Sequence, residues 1–243
     1  MIKISAPAKI NLCLDILKKD KSGYHEIRTV FHELPNLADE LKIYESKESD
    51  HTSTVDDLIP QENNLVHKAL KLLKKDQNIS TNAKIIIHKR IPIAAGLGGA
   101  SSDAAATLKG LNELWNLNLS TEKLLDLAFQ LGADVPFFIL GGTALGEHYG
   151  EKLTPLKPIK CVKFTIQAKE NYPQEDKTAQ MYASLDLSLC GKNTEKTNLL
   201  LEGIEKEDPN LIIQNLHNDF ETITPPPKNH HLTGSGPSTF KTV

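Results

Sequence analysis

The residues best placed to do chemistry sit near the middle of the chain, in Pro92-Ile93-Ala94-Ala95-Gly96-Leu97-Gly98-Gly99-Ala100-Ser101-Ser102. Glycines without a Cβ let consecutive backbone N–H groups turn toward one point. A helical pattern starts at Ser101 or Ser102. The first N–H groups of a helix lack intrahelical partners, and its dipole favours an anion there. Two serine hydroxyls fall at the same place. The segment therefore reads as a phosphate cradle that needs few cationic side chains. A Walker loop is excluded, because no lysine follows the glycines. The dinucleotide fingerprint is excluded too: Gly96 and Gly98 supply its first two positions, but Ser101 occupies the third. A bare strand-to-helix turn is the plainer reading of any glycine cluster. The fixed spacing of Pro92, Gly96, Gly98, Gly99 and the paired serines is far more specific than that.

Several elements must position this loop. Ile2 and Ile4 alternate with polar neighbours, and Ile10, Leu12, Leu14 and Ile16 fall on one face at period two, so the chain begins in strands. Further strands are expected near Thr29–Leu34, Leu41–Tyr44 and Ala83–His88, with a polar loop over Glu45–Asp57. Leucine and alanine spacing predicts a helix over Asn64–Lys75 and another over Ser102–Leu114. Ser120 reads as the N-cap of a third helix that Gly132 stops. Asp134 follows that stop and precedes Pro136. Prolines and lysines around Leu153–Lys160 suggest a domain boundary, after which a strand restarts at Val162–Ile166.

The whole chain sets the outer bounds. Its 243 residues can bury one large core or two modest ones. A formal net charge of -3 provides no basic excess for a nucleic-acid backbone. The most apolar stretch, Leu124–Leu145, is broken by Asp126, Gln130, Asp134 and Pro136, so no membrane span is expected. Cys13, Cys161 and Cys190 form no CxxC motif and read as reduced thiols of a cytoplasmic protein. The start of the chain lacks the basic head and apolar core of a secretory signal.

The central segment resembles the phosphate-binding motif of the GHMP kinase family, the galacto-, homoserine, mevalonate and phosphomevalonate kinases. Two further stretches agree. Pro7-Ala8-Lys9-Ile10-Asn11-Leu12 is similar to the family's N-terminal motif, and Leu232-Thr233-Gly234-Ser235-Gly236-Pro237-Ser238 to its third motif. Within the family, Gly23-Tyr24-His25-Glu26-Ile27, Gly132-Ala133-Asp134-Val135-Pro136-Phe137-Phe138 and Asn218-Asp219-Phe220-Glu221 resemble one branch. Its members phosphorylate the 2-hydroxyl of 4-diphosphocytidyl-2-C-methyl-D-erythritol in the non-mevalonate route to isoprenoid precursors. The resemblance implies an α/β fold of the α+β two-lobed type. Its N-terminal lobe is like domain 2 of ribosomal protein S5, and the active site lies in the cleft between lobes. It divides the chain into an ATP-binding domain over 1–152 and a C-terminal domain over 153–243.

The same resemblance assigns roles. Lys9 and Asp134 are the catalytic pair, with Asp134 taking the hydroxyl proton and Lys9 balancing charge. An isolated aspartate more often caps a turn, and a lone lysine is more often a solvated charge. The apolar neighbours of Lys9 argue for a buried strand start. Asn11, on the face of Lys9, binds substrate. Tyr24 stacks on the nucleobase and His25 reads its edge, with Tyr172 as a second stacking ring and Tyr182 as its rival. Pro92, Ala94, Ala95, Gly96, Leu97, Gly98, Gly99, Ala100, Ser101 and Ser102 surround the phosphates of ATP, while Asn64 and Lys89 line the adenosine pocket. Mg²⁺ is implied as the ion that neutralises the triphosphate. The partners implied are a small-molecule substrate and neither nucleic acid nor membrane, on a monomer or homodimer.

Three departures accompany the match. Ala100 stands where this branch has a third glycine. Gly146-Glu147-His148-Tyr149-Gly150-Glu151 replaces a shorter Gly-Arg-Gly-Glu. The chain stops at Val243, where relatives continue with a helix and a strand, so a truncated second lobe is expected. Two other readings carry weight beside the main one. One is a GHMP kinase for another small alcohol, and the other is a non-catalytic nucleotide-binding protein on the same fold.

Overall fold

Apolar alternation continues through Pro7, and the expected short strands at the start of the chain form one strand, β1 (Ile2–Lys19). Likewise the two runs expected near Thr29 and Leu41 are a single strand, β2 (His25–Ser46). The computed structural model describes residues 1–21, 23–54, 61, 64–169 and 177–243. Both long strands contribute to each of two compact units, which alternate along the sequence.

The first unit comprises Met1–Ala8, Leu34–Ile91 and Gly98–Leu140. In it β4 (Asn82–His88) pairs antiparallel with Glu40–Ser46 of β2 and parallel with β3 (His51–Thr54). β3 lies inside the stretch expected to be a polar loop. Its Thr52 and Thr54 are buried in register with Ile85 and Ile87, so pairing with β4 overrides local polarity. Among the described residues the unit is completed by α1 (Leu65–Gln77), α2 (Gly99–Leu114), α3 (Thr121–Leu131) and α4 (Val135–Leu140). They pack on one another through Leu70, Leu73, Leu108, Leu111, Leu127 and Phe137. Burying each such side chain stabilises the fold by roughly 1.5–3 kcal/mol. At Gly110 a Cβ would come within 2.5 Å of Ile43 Cδ1, so glycine lets α2 lie close against β2. Asn64 caps α1 by accepting from the Val66 N–H, and Ser120 caps α3 by accepting from the Lys123 N–H. Each such cap contributes about 1 kcal/mol.

The second unit comprises Lys9–Glu33, Pro92–Leu97 and Gly141–Val243. Here Ile27–His32 of β2 pair antiparallel with β5 (Thr143–His148), which forms a hairpin with β6 (Lys152–Pro155). The restarted strand is β7 (Phe164–Gln167), and α5 (Lys177–Ala183), α6 (Thr194–Lys206) and α7 (Pro209–Gln214) follow. Cys13 and Leu14 of β1 pair in parallel with β8 (His217–Asn218). β7, β10 (Thr239–Thr242) and β9 (His231–Leu232) form a separate antiparallel sheet. One apolar cluster joins Leu14, Ile16, Ile27, Cys190, Phe220 and Leu232. Beside it Asp15, fully buried, accepts from Thr197 Oγ1 at 2.5 Å and lies 3.0 Å from His217 Nε2. Among the described residues no helix is long and apolar enough to cross a membrane.

Candidate functional site

The two halves of the glycine-rich segment belong to different units. Pro92–Leu97 lie in the second, and Gly98–Ser102 in the first. The second-unit half interlocks with the turn between β9 and β10. Gly96 has φ +80°, and a Cβ there would stand 2.3 Å from the Thr233 carbonyl oxygen. Only glycine tolerates both the left-handed conformation and that approach. Thr233 Oγ1 donates to the Gly96 carbonyl at 3.2 Å, and the Ser238 N–H donates to the Ala95 carbonyl at 3.2 Å.

Lys9 joins this interlock. Its N–H donates to the Leu97 carbonyl at 3.0 Å. The side chain is buried, and its ammonium donates to Asn11 Oδ1 at 2.6 Å and to the Gly96 carbonyl at 3.4 Å. The Phe31 ring lies beneath it, with its centroid 5.5 Å from Nζ. Asn11 is fixed at both ends of its amide: Oδ1 also accepts from the Gly234 N–H at 3.0 Å, and Nδ2 donates to Thr29 Oγ1 at 2.8 Å. Asn218 Nδ2 in turn donates to the carbonyls of Leu232 and Gly234, fixing the turn from behind. Three segments far apart in sequence, around Lys9, Gly96 and Thr233, thus meet in one buried network. Thr29 was not singled out by sequence reasoning. Its signal was weak: a threonine at an inward strand position, which more often fills space.

The first-unit half starts α2. The helix begins at Gly99, earlier than the alanine pattern suggested, because Gly98 at φ +73° is its N-cap and brings no side chain to the first turn. Ser102 Oγ is buried without a hydrogen-bond partner among the described residues. An unsatisfied hydroxyl at a helix start is free to meet an oxyanion or its metal ion, so this turn fits a magnesium-bound phosphate. Asn64 Nδ2 is similarly buried and unpaired among the described residues, although its Oδ1 is used in capping. Asp134 lies between α3 and α4 and is half-buried.

Lys89 is no surface charge. Its ammonium bridges Asp39 Oδ2 at 2.5 Å and Asp103 Oδ2 at 2.7 Å. The other oxygen of Asp39 accepts from the N–H groups of Arg90 and Ile91, where the chain leaves β4 for the loop. One cation thus faces two buried carboxylates. Burial, opposed by Lys89 and reinforced by Asp39, pushes the Asp103 carboxyl up to about 7. Burial lowers the Lys89 pKa, but the two carboxylates outweigh it and the net shift is upward. Neither aspartate was anticipated. Asp103 follows the paired serines and precedes an alanine run, a place where a helix surface charge is the ordinary expectation.

Tyr24 and His25 open β2 in the second unit. Tyr24 is 68% exposed. His25 stacks face to face on Tyr182, with centroids 4.8 Å apart and planes 14° apart. Burial, and then the neighbouring Lys19, hold its imidazole below the usual histidine range, so it is neutral near pH 7. Tyr182 also packs edge-on against Phe220. Tyr172 lies outside the described residues.

Comparison with known proteins agrees with this architecture. Residues 64–142 match the family model for the GHMP kinases N terminal domain. The chain is 40% identical over 255 residues to the 4-diphosphocytidyl-2-C-methyl-D-erythritol kinase of Caldicellulosiruptor saccharolyticus, covering 98% of this chain and 86% of the relative. A crystal structure of 4-(cytidine 5'-diphospho)-2C-methyl-D-erythritol kinase superposes with TM-score 0.73 at 27% identity, covering 98% of this chain and 89% of that one. Homoserine kinase from Cytophaga hutchinsonii shares the fold, with TM-score 0.74 at 19% identity over 99% and 85% of the two chains.

Proposed function

Because this chain belongs to the GHMP kinase family, among its 4-diphosphocytidyl-2-C-methyl-D-erythritol kinases, we propose that it transfers the γ-phosphoryl group of ATP to the 2-hydroxyl of 4-diphosphocytidyl-2-C-methyl-D-erythritol. The observation that carries the reading is the buried network joining Lys9, Asn11, Gly96, Thr233 and Gly234. A lysine held among apolar neighbours by a carbonyl and an amide oxygen presents a fixed positive charge. Fixed charge is what phosphoryl transfer demands, since its catalysis is mostly positioning and electrostatic stabilisation.

In this mechanism Asp134 accepts the proton of the attacking hydroxyl. Lys9 holds the nucleophile in line and offsets the charge that develops on the transferring group. Asn11 keeps the ammonium oriented and contacts the substrate. The backbone of Pro92–Leu97 and the first turn of α2, with Ser101 and Ser102, hold the triphosphate. Bound Mg²⁺ supplies charge neutralisation on those phosphates, and Ser102 is the hydroxyl best suited to hold it. Asn64 Nδ2, unpaired among the described residues, supports a place beside adenosine. Among the described residues Lys89 uses two of its N–H groups on carboxylates, which leaves the third for the nucleotide. Tyr24 stacks on the cytosine and the neutral His25 reads its edge, with Tyr182 behind His25. The division at residue 152, ATP-binding before it and the C-terminal domain after it, belongs to the same proposal.

The test is direct. Purified protein is incubated with Mg-ATP and 4-diphosphocytidyl-2-C-methyl-D-erythritol, and ADP release is measured beside mevalonate and homoserine controls. Turnover confined to the cytidylyl substrate is expected. ATP binding with no turnover on any of the three would overturn the proposal.

A further inference from the structure

The β5–β6 turn reaches the hairpin turn that carries Tyr24 and His25. His148 takes a left-handed conformation there, with φ 65°. That carries the following residue, Tyr149, off the strand direction. Tyr149 is then fixed by its neighbours. Its N–H donates to Glu151 Oε2 at 2.9 Å, and His148 Nδ1 lies 2.6 Å from Glu151 Oε1. The His148 and Tyr149 rings are 3.8 Å apart between centroids. From this position the Tyr149 hydroxyl donates to Asp20 Oδ2.

Asp20 is the hinge of the hairpin. Its second carboxylate oxygen accepts from the Tyr24 N–H at 3.2 Å, and its own N–H donates to the Tyr24 carbonyl at 2.8 Å. The Gly23 N–H donates to the Asp20 carbonyl at 3.2 Å. The Tyr149 hydroxyl therefore holds the carboxylate that holds the backbone of Tyr24. Its ring also meets the Tyr24 ring, with centroids 5.5 Å apart and planes tilted by 46°. Tyr24 otherwise points into solvent, where a side chain has no reason to keep one rotamer. An exposed ring given a wall on one side is a stacking platform with reduced freedom, and reduced freedom raises affinity.

We propose that Tyr149 is a positioning residue for the nucleobase subsite: through Asp20 and the Tyr24 ring it sets how tightly the cytidine end of the substrate is bound. The proposal rests on the reading of Tyr24 and His25 as the nucleobase site. It places Tyr149 outside the phosphoryl-transfer step itself.

The variant Tyr149→Phe keeps the ring and removes the hydroxyl. Binding of cytidine 5'-diphosphate is measured by titration calorimetry on wild type and variant, alongside steady-state kinetics. Losing one such hydrogen bond predicts a rise of about 3- to 10-fold in Kd for cytidine 5'-diphosphate and in KM for the cytidylyl substrate. KM for ATP and the melting temperature stay as in wild type. Asp20→Asn probes the same link from its other end, and the double variant loses less than the sum of the two single losses. A Phe variant with wild-type Kd overturns the proposal, and so does one whose KM for ATP rises equally. A wild-type protein that does not bind cytidine 5'-diphosphate overturns the underlying nucleobase reading as well, which separates the two failures.

Discussion

Asp103→Asn tests whether the buried trio of Lys89, Asp39 and Asp103 carries one negative charge too many. Its two carboxylates and one ammonium lie within hydrogen-bond reach, and all are nearly enclosed. Asp103 keeps its proton up to about pH 7 in the folded protein, against an ordinary carboxylate value near 3.8. A raised carboxylate stabilises the fold fully below its unfolded value, and the contribution is lost as pH climbs through the folded one. Between pH 5 and pH 8 the folded group gives up nearly its whole proton while the unfolded group is already ionised. The loss corresponds to about two pKa units, or roughly 2.6 kcal/mol at 1.36 kcal/mol per unit. Relaxation of the site reduces that figure, so about 1–3 kcal/mol is expected.

Asparagine keeps an acceptor for Lys89 and cannot ionise. Urea unfolding of wild type and variant at pH 5, 6, 7 and 8 isolates the trio, because titrating groups remote from it cancel in the difference. The variant gains on wild type by about 1–3 kcal/mol as pH rises from 5 to 8. A difference that stays constant across this range would show that Asp103 is ionised throughout, and would refute the charge argument.

Gly96→Ala forces a Cβ to 2.3 Å from the Thr233 carbonyl in a left-handed conformation. The conformation alone costs about 1–2 kcal/mol, so the melting temperature falls and turnover is lost together; an alanine variant that melts like wild type would remove the interlock. Asp134→Asn abolishes turnover and leaves ATP affinity nearly unchanged, and a variant at wild-type rate would take Asp134 out of the mechanism. Burial pushes the Cys13 thiol up to about 12, and burial also raises that of Cys190, whereas Cys161 is exposed. One thiol per chain therefore reacts rapidly with a disulfide reagent at pH 8, and three react after unfolding.

What the sequence could disclose depended on whether a residue's role is local. The N-cap at Ser120 was readable because a cap and its helix are neighbours in the chain. The turn into α2 was readable because glycine spacing encodes backbone conformation directly. The single strands β1 and β2 read as several short pieces, since proline and charged residues interrupt their alternation but not the strands themselves. The strand β3 was hidden by its polar composition, being stabilised by β4 and not by its own residues. Asp39, Asp103, Thr29 and Thr233 went unassigned for a common reason. Each acquires meaning only from a partner 14 to 222 residues away, and residue type alone does not disclose such a partner.

The loop itself shows how these levels combine. Its glycines divide the labour. Gly96 admits the Thr233 carbonyl, while Gly98 starts α2 without a capping side chain. Each half is anchored by a charged group: Lys9, expected as a catalytic residue, and Lys89, expected to line the adenosine pocket. Lys9 secures the half before Gly98 through the Gly96 and Leu97 carbonyls. Lys89 secures the half after it through Asp103, and Asp39 holds the N–H groups of Arg90 and Ile91 on the approach. A phosphate bound by backbone N–H groups gains affinity only if those groups are already aimed, because ordering a loop on binding consumes the interaction energy. On the proposed reading, the two lysines therefore serve nucleotide binding before either touches a nucleotide. On the proposed reading, a loop aimed in advance is how a chain of net negative charge holds a triphosphate.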